Sequence, residues 1–216
     1  MKKYIKENKN RIIILILVLI FQAGIYSISK LFQRSPIYLN NYFDNIIPFI
    51  PYFVIFYITW FPLLFLVPLL VLKYDKKVFD RYIFTIFIFA IFEGIMFILL
   101  PTTMNREVIN VTSISTFIIN IIYKVDTPVN LFPSAHCAFA ILFIMSVLDV
   151  KKIKREYKLL ISVISILIIL STLFIKQHVL IDVIGALAII PIYYILRKKK
   201  INIEKSDIYA KIFCKE

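Results

Sequence analysis

The sequence predicts an all-α integral membrane protein, a six-transmembrane-helix bundle with a short interfacial helix on its outer face. Three observations carry that expectation. The 216-residue chain is 61% hydrophobic with a mean hydropathy of +0.86, more apolar than a soluble core requires. Its apolar residues fall in runs long enough to span a bilayer core, about 17 residues or more. Finally, 21 of the 26 Lys and Arg residues sit in four patches, at 1–11, 73–81, 151–158 and 197–216, each flanking an apolar run. The positive-inside rule accounts for such patches, and anionic inner-leaflet lipid is their natural counter-charge. The net charge of +13 is thereby explained without a polyanion, and no nucleic acid is expected as a partner.

Each element follows from this pattern. Residues 1–11 are a basic cap. Ile12 to Ile28 spans about 25 Å as a helix and is read as the first span, although Ser27-Ile28-Ser29 has the small-x-small form of a signal-peptide cleavage site. Lys30 to Ile50 is an outer loop whose Tyr38, Tyr42 and Phe43 suit the headgroup level. Pro51 to Leu72 is the second span, with Pro62 and Pro68 expected to kink it. Lys73 to Arg81 is a basic inner loop, and Tyr82 to Leu100 is the third span. Glu93 lies about 10 Å below the outer end of that span by helical rise. A carboxylate at such depth faces protein or water, so Glu93 either pairs with a polar neighbour inside the bundle or lines a substrate path.

Pro101 to Pro133 is the longest outer segment. Ile114, Phe117, Ile118, Ile121 and Ile122 recur at three- to four-residue spacing, which predicts a surface helix lying in the interface. Asp126 and Asn130 follow as loop-shaping hydrogen bonders. The remaining spans are Ala135 to Val150, Leu159 to Ile175 and Val179 to Leu196, with the basic loop Lys151 to Lys158 between the first two. The whole chain, 1–216, reads as a single membrane domain with a core region at about 82–196. Its basic ends, 1–11 and 197–216, are expected on the cytoplasmic side. Cys137 and Cys214 then fall on opposite sides of the membrane, which excludes a disulfide between them. No pattern specifies an oligomeric state.

The chemistry concentrates in two stretches that hold the only two histidines. The first is Phe132-Pro133-Ser134-Ala135-His136; the second runs from Ser171 through Lys176, Gln177 and His178 to Asp182. His178 and Asp182 are four apart and share a helix face. The carboxylate there takes one ring N–H and leaves the other nitrogen free to attack. Ser134 is a good N-cap, which puts His136 in a first turn where backbone N–H groups and the helix dipole favour an anion.

These stretches resemble the second and third signature motifs of the type-2 phosphatidic acid phosphatase superfamily, Pro-Ser-x-His and Ser-Arg-x5-His-x3-Asp. The second is complete in Pro133, Ser134 and His136. The third is present in Ser171, His178 and Asp182, with Thr172 where Arg is usual. Of the first motif, Lys-x6-Arg-Pro, only Arg106 carries over, since Leu99 and Glu107 occupy the Lys and Pro positions. The Lys176-Gln177-His178 run and the lead-in from Asp126 to Ser134 are similar to the inositol phosphorylceramide synthase branch.

The resemblance implies phosphoryl transfer through a covalent histidine. His178 is the expected nucleophile, His136 the general acid and base, and Asp182 the group that orients His178. Arg106, Ser134, Lys176 and Ser171 are the expected phosphate-binding groups, with Lys176 compensating for the missing arginine. No metal and no other cofactor is implied, because two histidines and few outer carboxylates do not form a two-metal site.

All these residues fall at the outer ends of spans when the N-terminus is placed inside. The expected localisation is therefore a multi-pass protein of the plasma membrane, in a bacterium the cytoplasmic membrane, with the site facing outside. The favoured reading is a membrane lipid phosphatase acting on a lipid phosphate or diphosphate at the outer leaflet. The alternative is a phosphotransferase moving a phosphorylated headgroup, such as inositol phosphate, to or from a lipid. A third reading is a catalytically impaired lipid-binding or flippase-like protein. Hydrolysis is preferred to transfer because the outer loops offer few polar side chains beyond Asn105, Asp126, Asn130 and Gln177 to build an acceptor pocket.

Overall fold

The computed structural model describes residues 7–199. Cys214 and most of the basic tail lie outside the described residues. Helix α1 covers Lys9–Ser29 and continues into a 3-10 turn at Lys30–Phe32. A two-residue strand β1 (Ile37–Tyr38) and the short helix α2 (Tyr42–Ile46) fill the first loop. Helices α3 (Val54–Tyr74) and α4 (Lys76–Leu99) follow, then β2 (Thr102–Thr103) and α5 (Ile114–Val125). The chain is completed by α6 (Ala135–Asp149), α7 (Arg155–Phe174), α8 (Leu180–Ala186) and α9 (Ile189–Lys198).

Among the described residues, five helical segments are long and apolar enough to cross a membrane by length and composition, and the chain is a mainly α-helical membrane protein. They are Lys9–Phe32, Pro51–Tyr74, Lys76–Leu99, Arg155–Phe174 and Leu180–Lys198. The expected fourth span is the exception. Helix α6 has 15 residues, a rise of about 22 Å. It is the central post of the bundle: Cys137, Ala138, Phe139, Ala140, Leu142, Phe143 and Val147 are all fully buried, packed by α7, α3, α4 and α9.

Three boundaries differ from the hydropathy reading. The inner loop expected at 73–81 shrinks to a turn at Asp75, whose carboxylate accepts the Lys77 and Val78 N–H groups at 2.9 and 3.1 Å. Helix α4 therefore starts at Lys76, six residues before the expected Tyr82, because hydropathy marks where the apolar run begins and an N-cap decides where the helix begins. The last span is broken between α8 and α9. Pro191 has no N–H for the Leu187 carbonyl, which instead accepts from Ile190 N at 3.0 Å. Helix α3, by contrast, runs unbroken through Pro62 and Pro68.

At the end away from the histidines the helices are tied by ion pairs. The Arg11 guanidinium donates from Nε to Asp80 Oδ1 at 2.8 Å and from Nη2 to Oδ2 at 3.1 Å, with both side chains buried. Asp149 at the end of α6 accepts from Arg81, from Arg197 at 3.1 Å and from the Tyr193 hydroxyl at 2.9 Å. Part of the basic character of the sequence is thus neutralised within the bundle.

At the histidine end the loops are knitted together. Strand β1 pairs in parallel with β2, Ile37 against Thr102 and Tyr38 against Thr103, a contact with no signal in the sequence. Helix α5 is where the periodicity predicts a surface helix, and its N-terminus carries a Ser113–Thr116 capping box. Its apolar residues divide between two faces. Ile118, Ile119, Ile122 and Tyr123 pack with Val54, Tyr57 and Ile175, whereas Ile114, Phe117, Ile121 and Val125 are exposed.

Candidate functional site

The second motif forms as expected from local chemistry. Ser134 Oγ accepts the Cys137 N–H at 3.3 Å and starts α6, so His136 stands in the first turn. Its ring packs against two aromatic rings of α3, Tyr57 with centroids 4.6 Å apart and Trp60 at 4.2 Å. His136 Nε2 is buried with no hydrogen-bond partner. The ring of His178 is 5.8 Å away.

The third motif differs in local form. Helix α7 ends at Phe174, and Lys176 takes the left-handed backbone, φ 52°, a C-terminal position usually filled by glycine. His178 lies ahead of α8 and not on it. Asp182 reaches back over the start of that helix, and its Oδ2 accepts from His178 Nδ1 at 3.1 Å and from Val179 N at 3.0 Å. The i,i+4 pair thus forms because an acidic side chain in a first turn caps that turn, not because the two residues share a helical face. With Nδ1–H given to Asp182, Nε2 carries the lone pair. The backbone ties the two motifs together, with Ser134 N donating to Asp182 O at 3.2 Å. Gly185 permits this closeness: a Cβ there would lie 2.4 Å from the Phe132 ring.

Two cavities meet at His178. One, of about 590 Å³, is lined mostly by apolar groups, among them Tyr57, Trp60, Phe61, Phe97, Ile122 and His136. The other, of about 470 Å³, is lined by polar groups that include Asn40, Asp44, Asn45, Asn105 and Glu107. His178 and Arg106 line both. The volumes suit a lipid-sized and a headgroup-sized ligand.

The expected phosphate-binding residues part company. Arg106 stands at the junction. Its guanidinium lies 4.5 Å over the Tyr123 ring and donates from Nη1 to Asp126 O at 2.6 Å, while Nε is buried without a partner. Burial pushes the Arg106 pKa down, opposed by nearby Tyr123 and Asp126. Burial raises the Tyr123 hydroxyl to about 12, so it stays a donor, to Ile175 O at 2.7 Å.

Lys176 borders the polar cavity, but its Nζ donates to the carbonyls of Asp44 and Ile47 at 2.8 and 2.5 Å. That placement corrects the expectation that it compensates for the missing arginine; its ammonium anchors the first outer loop. Ser171 donates to Ile168 O at 2.6 Å and is fully buried, lining neither cavity. Ser134 is likewise buried as a helix cap. Thr172 turns into the core beside Cys137, with its hydroxyl on Ile169 O at 2.8 Å.

The outer residues are structural where hydrogen bonding decides. Asn130, at φ 56°, donates to Tyr26 O at 3.1 Å and Ser29 Oγ at 2.9 Å and accepts from Gln33. Asp126 accepts from the Tyr26 hydroxyl and from Gln177 Nε2, the latter at 2.9 Å. Glu93 resolves to the first of its two expectations. It is fully buried, accepts from Gln22 Nε2 at 3.3 Å, and lines neither cavity.

Sequence reasoning missed Tyr57 and Trp60, although their three-residue spacing puts them on one helix face. It also missed Asp44, whose Oδ1 accepts the Leu180 N–H at 2.8 Å and so caps the helix that carries Asp182. The Asn41-x-x-Asp44 capping box was legible as a short helix start, but its partner was not. Among the described residues no group of His, Cys, Asp and Glu is arranged to hold a metal ion.

No curated protein and no solved structure matches the chain. The sequence model of the PAP2 superfamily matches residues 32–196, a range that includes both histidines, Asp182, Arg106 and every element from β1 to α8. The chain belongs to the PAP2 superfamily, and with its apolar helices it is a membrane protein of a superfamily whose activity is phosphatase or phosphotransferase action on phosphorylated substrates.

Proposed function

We propose that the protein is a membrane lipid phosphatase that hydrolyses a lipid phosphate or diphosphate through a phosphohistidine on His178. The observation that carries this reading is the position of the two histidines relative to the two cavities. His178, held by Asp182, borders both, whereas His136 borders only the apolar one. The apolar cavity suits the lipid. His178 Nε2 attacks phosphorus and the bond from phosphorus to the lipid oxygen breaks. His136, holding a proton when the negatively charged phosphate is bound beside it, gives that proton to the oxygen, so the group that departs is the lipid alcohol or lipid monophosphate. His136, now neutral, takes a proton from water as the water oxygen attacks phosphorus. The bond from Nε2 to phosphorus then breaks and phosphate leaves. Arg106 at the junction meets the charge gathered on the phosphoryl oxygens. Asp182 stabilises the imidazolium character that His178 acquires.

One observation favours a second reading, transfer of a phosphorylated headgroup. The first outer loop, pinned by Lys176 and Asp44, brings Asn40 and Asn45 beside Asn105 and Glu107. The polar material judged too sparse in the sequence is therefore gathered next to His178. Such a pocket gives a bound alcohol an effective molarity over water, on the order of 10⁵ M in well-aligned cases. The test is product partitioning by the purified protein on a lipid monoester carrying labelled phosphate. Hydrolysis predicts label in inorganic phosphate whether or not a polyhydroxy alcohol is added. Label appearing mainly in a phosphomonoester of the added alcohol, when that alcohol is present at low millimolar concentration, would replace the hydrolase reading by the transferase one.

The proposed topology has six spans, with α6 as the short fourth, α5 in the outer interface and both termini inside. The four basic patches and the exposed apolar face of α5 support it. A cysteine placed at Asn40 or Thr112 should react with an impermeant thiol reagent in intact cells, and one at Lys152 only after permeabilisation. Reaction of the Lys152 site in intact cells would reverse the orientation.

A further inference from the structure

The family match begins at residue 32, yet the wall of the apolar cavity begins earlier. Gln22 and Tyr26 on α1, and Lys30 just past its end, are spaced four apart and so share one side of the helix and its extension. All three line the apolar cavity together with Arg106, His136 and His178. We propose that Lys30 is a cationic contact for the substrate's phosphate group. It supplies from the first helix the charge that this chain lacks at Leu99 and Thr172.

The need for a second cation follows from the charge of a transferring phosphoryl group, which is spread over oxygens that must be met by converging positive groups. Of the sequence-derived set, Lys176 is committed to the Asp44 and Ile47 carbonyls. Thr172 faces the core, and Leu99 is an exposed apolar residue. Arg106 is the cation of that set that lines the apolar cavity, and one of its amino groups is held by the Asp126 carbonyl.

Lys30 lines the same cavity and, like Arg106, adjoins Asp126. Its Nζ lies 4.2 Å from the Tyr26 ring centroid and 3.9 Å from Asp126 Oδ1. The latter separation is longer than a hydrogen bond. Asp126 is meanwhile hydrogen-bonded by the Tyr26 hydroxyl and by Gln177 Nε2. The ammonium is thus kept at the cavity by the ring face and by the field of Asp126, with N–H donors left to give. Lys30 and His178 line the same cavity, and Gln177, bonded to Asp126, is the chain neighbour of His178. The side chain is 29% exposed, so a phosphate reaching it from the cavity need not displace a packed group.

The inference rests on the reading of His178 as the phosphoryl-accepting centre, and the experiment separates the two. Binding of inorganic phosphate to the detergent-solubilised full chain is measured by titration calorimetry, without turnover, for wild type, Lys30→Gln and Lys30→Arg. Loss of one charge-assisted contact should weaken phosphate binding by about tenfold in Lys30→Gln. Lys30→Arg should stay within about threefold of wild type because the charge is kept. All three should show the same melting temperature. Unchanged phosphate binding in Lys30→Gln overturns the proposal, as it would for a lysine that merely snorkels at a helix end. So does a loss in Lys30→Arg equal to that in Lys30→Gln, which would show that the stem and not the charge matters. If the charge dependence holds while wild type turns over no lipid phosphate, the anion site stands and the functional reading fails.

Discussion

Replacing His178 by alanine is expected to remove the covalent phosphoenzyme and to reduce turnover by roughly 10⁴-fold to 10⁶-fold, the range seen when a covalent nucleophile is deleted. The physical reason lies in the pairing at 3.1 Å between His178 Nδ1 and Asp182 Oδ2. That bond sets the tautomer, so Nε2 presents its lone pair at the junction of the two cavities, where no other described side chain offers an equivalent nitrogen. The measurement is rapid acid-free quenching with labelled substrate, followed by detection of a label that is stable in alkali and lost in acid. Asp182→Asn should retain a residual rate and a trappable intermediate, because the nucleophile remains while its tautomer is no longer enforced. Asp182 also caps the start of α8 through Val179 N, and the amide of asparagine can keep that contact. Wild-type turnover by His178→Ala would remove the nucleophile assignment altogether.

The second large effect is expected at His136. Its replacement by alanine should slow both formation and breakdown of the phosphoenzyme by about 10²-fold to 10⁴-fold, as loss of a general acid–base does. The size of the effect should depend on the leaving group. A lipid alkoxide needs the proton, whereas an aryl oxide leaves without one. The burst of phosphoenzyme formation should therefore fall far more on an alkyl ester than on an aryl phosphate, while breakdown is slowed equally for both. An equal loss of burst rate on the two esters would show that His136 does not protonate the leaving oxygen. The ring contacts with Tyr57 and Trp60 make this geometry specific, since they fix the imidazole in the wall of the apolar cavity, where that oxygen would lie.

What the sequence determined by itself is what depends on near neighbours along the chain. The Ser134 cap and the position of His136 in a first turn follow from residues three apart. So does the bond from His178 to Asp182, although its form is a helix-start cap and not a shared face: the four-residue spacing fits both, and the helix begins only at Leu180, after His178. The apolar runs and their basic flanks located the helical segments, since desolvation and charge act on each segment independently of the others.

The tertiary structure decided everything that depends on which segments meet. A 15-residue α6 serves as the central helix because its neighbours bury it, which no count of apolar residues can foresee. Lys176 could have served a phosphate or a carbonyl. It meets carbonyls 129 and 132 residues away in sequence, and a donor takes the acceptors that folding brings within reach. Asp44 caps a helix 136 residues away, and Lys30 enters a cavity wall from outside the region matched by the family. Side-chain chemistry was legible residue by residue; the partner of each long polar side chain was not, because hydrogen bonds and ion pairs are satisfied by proximity in space, which spacing along the chain does not encode beyond a few residues.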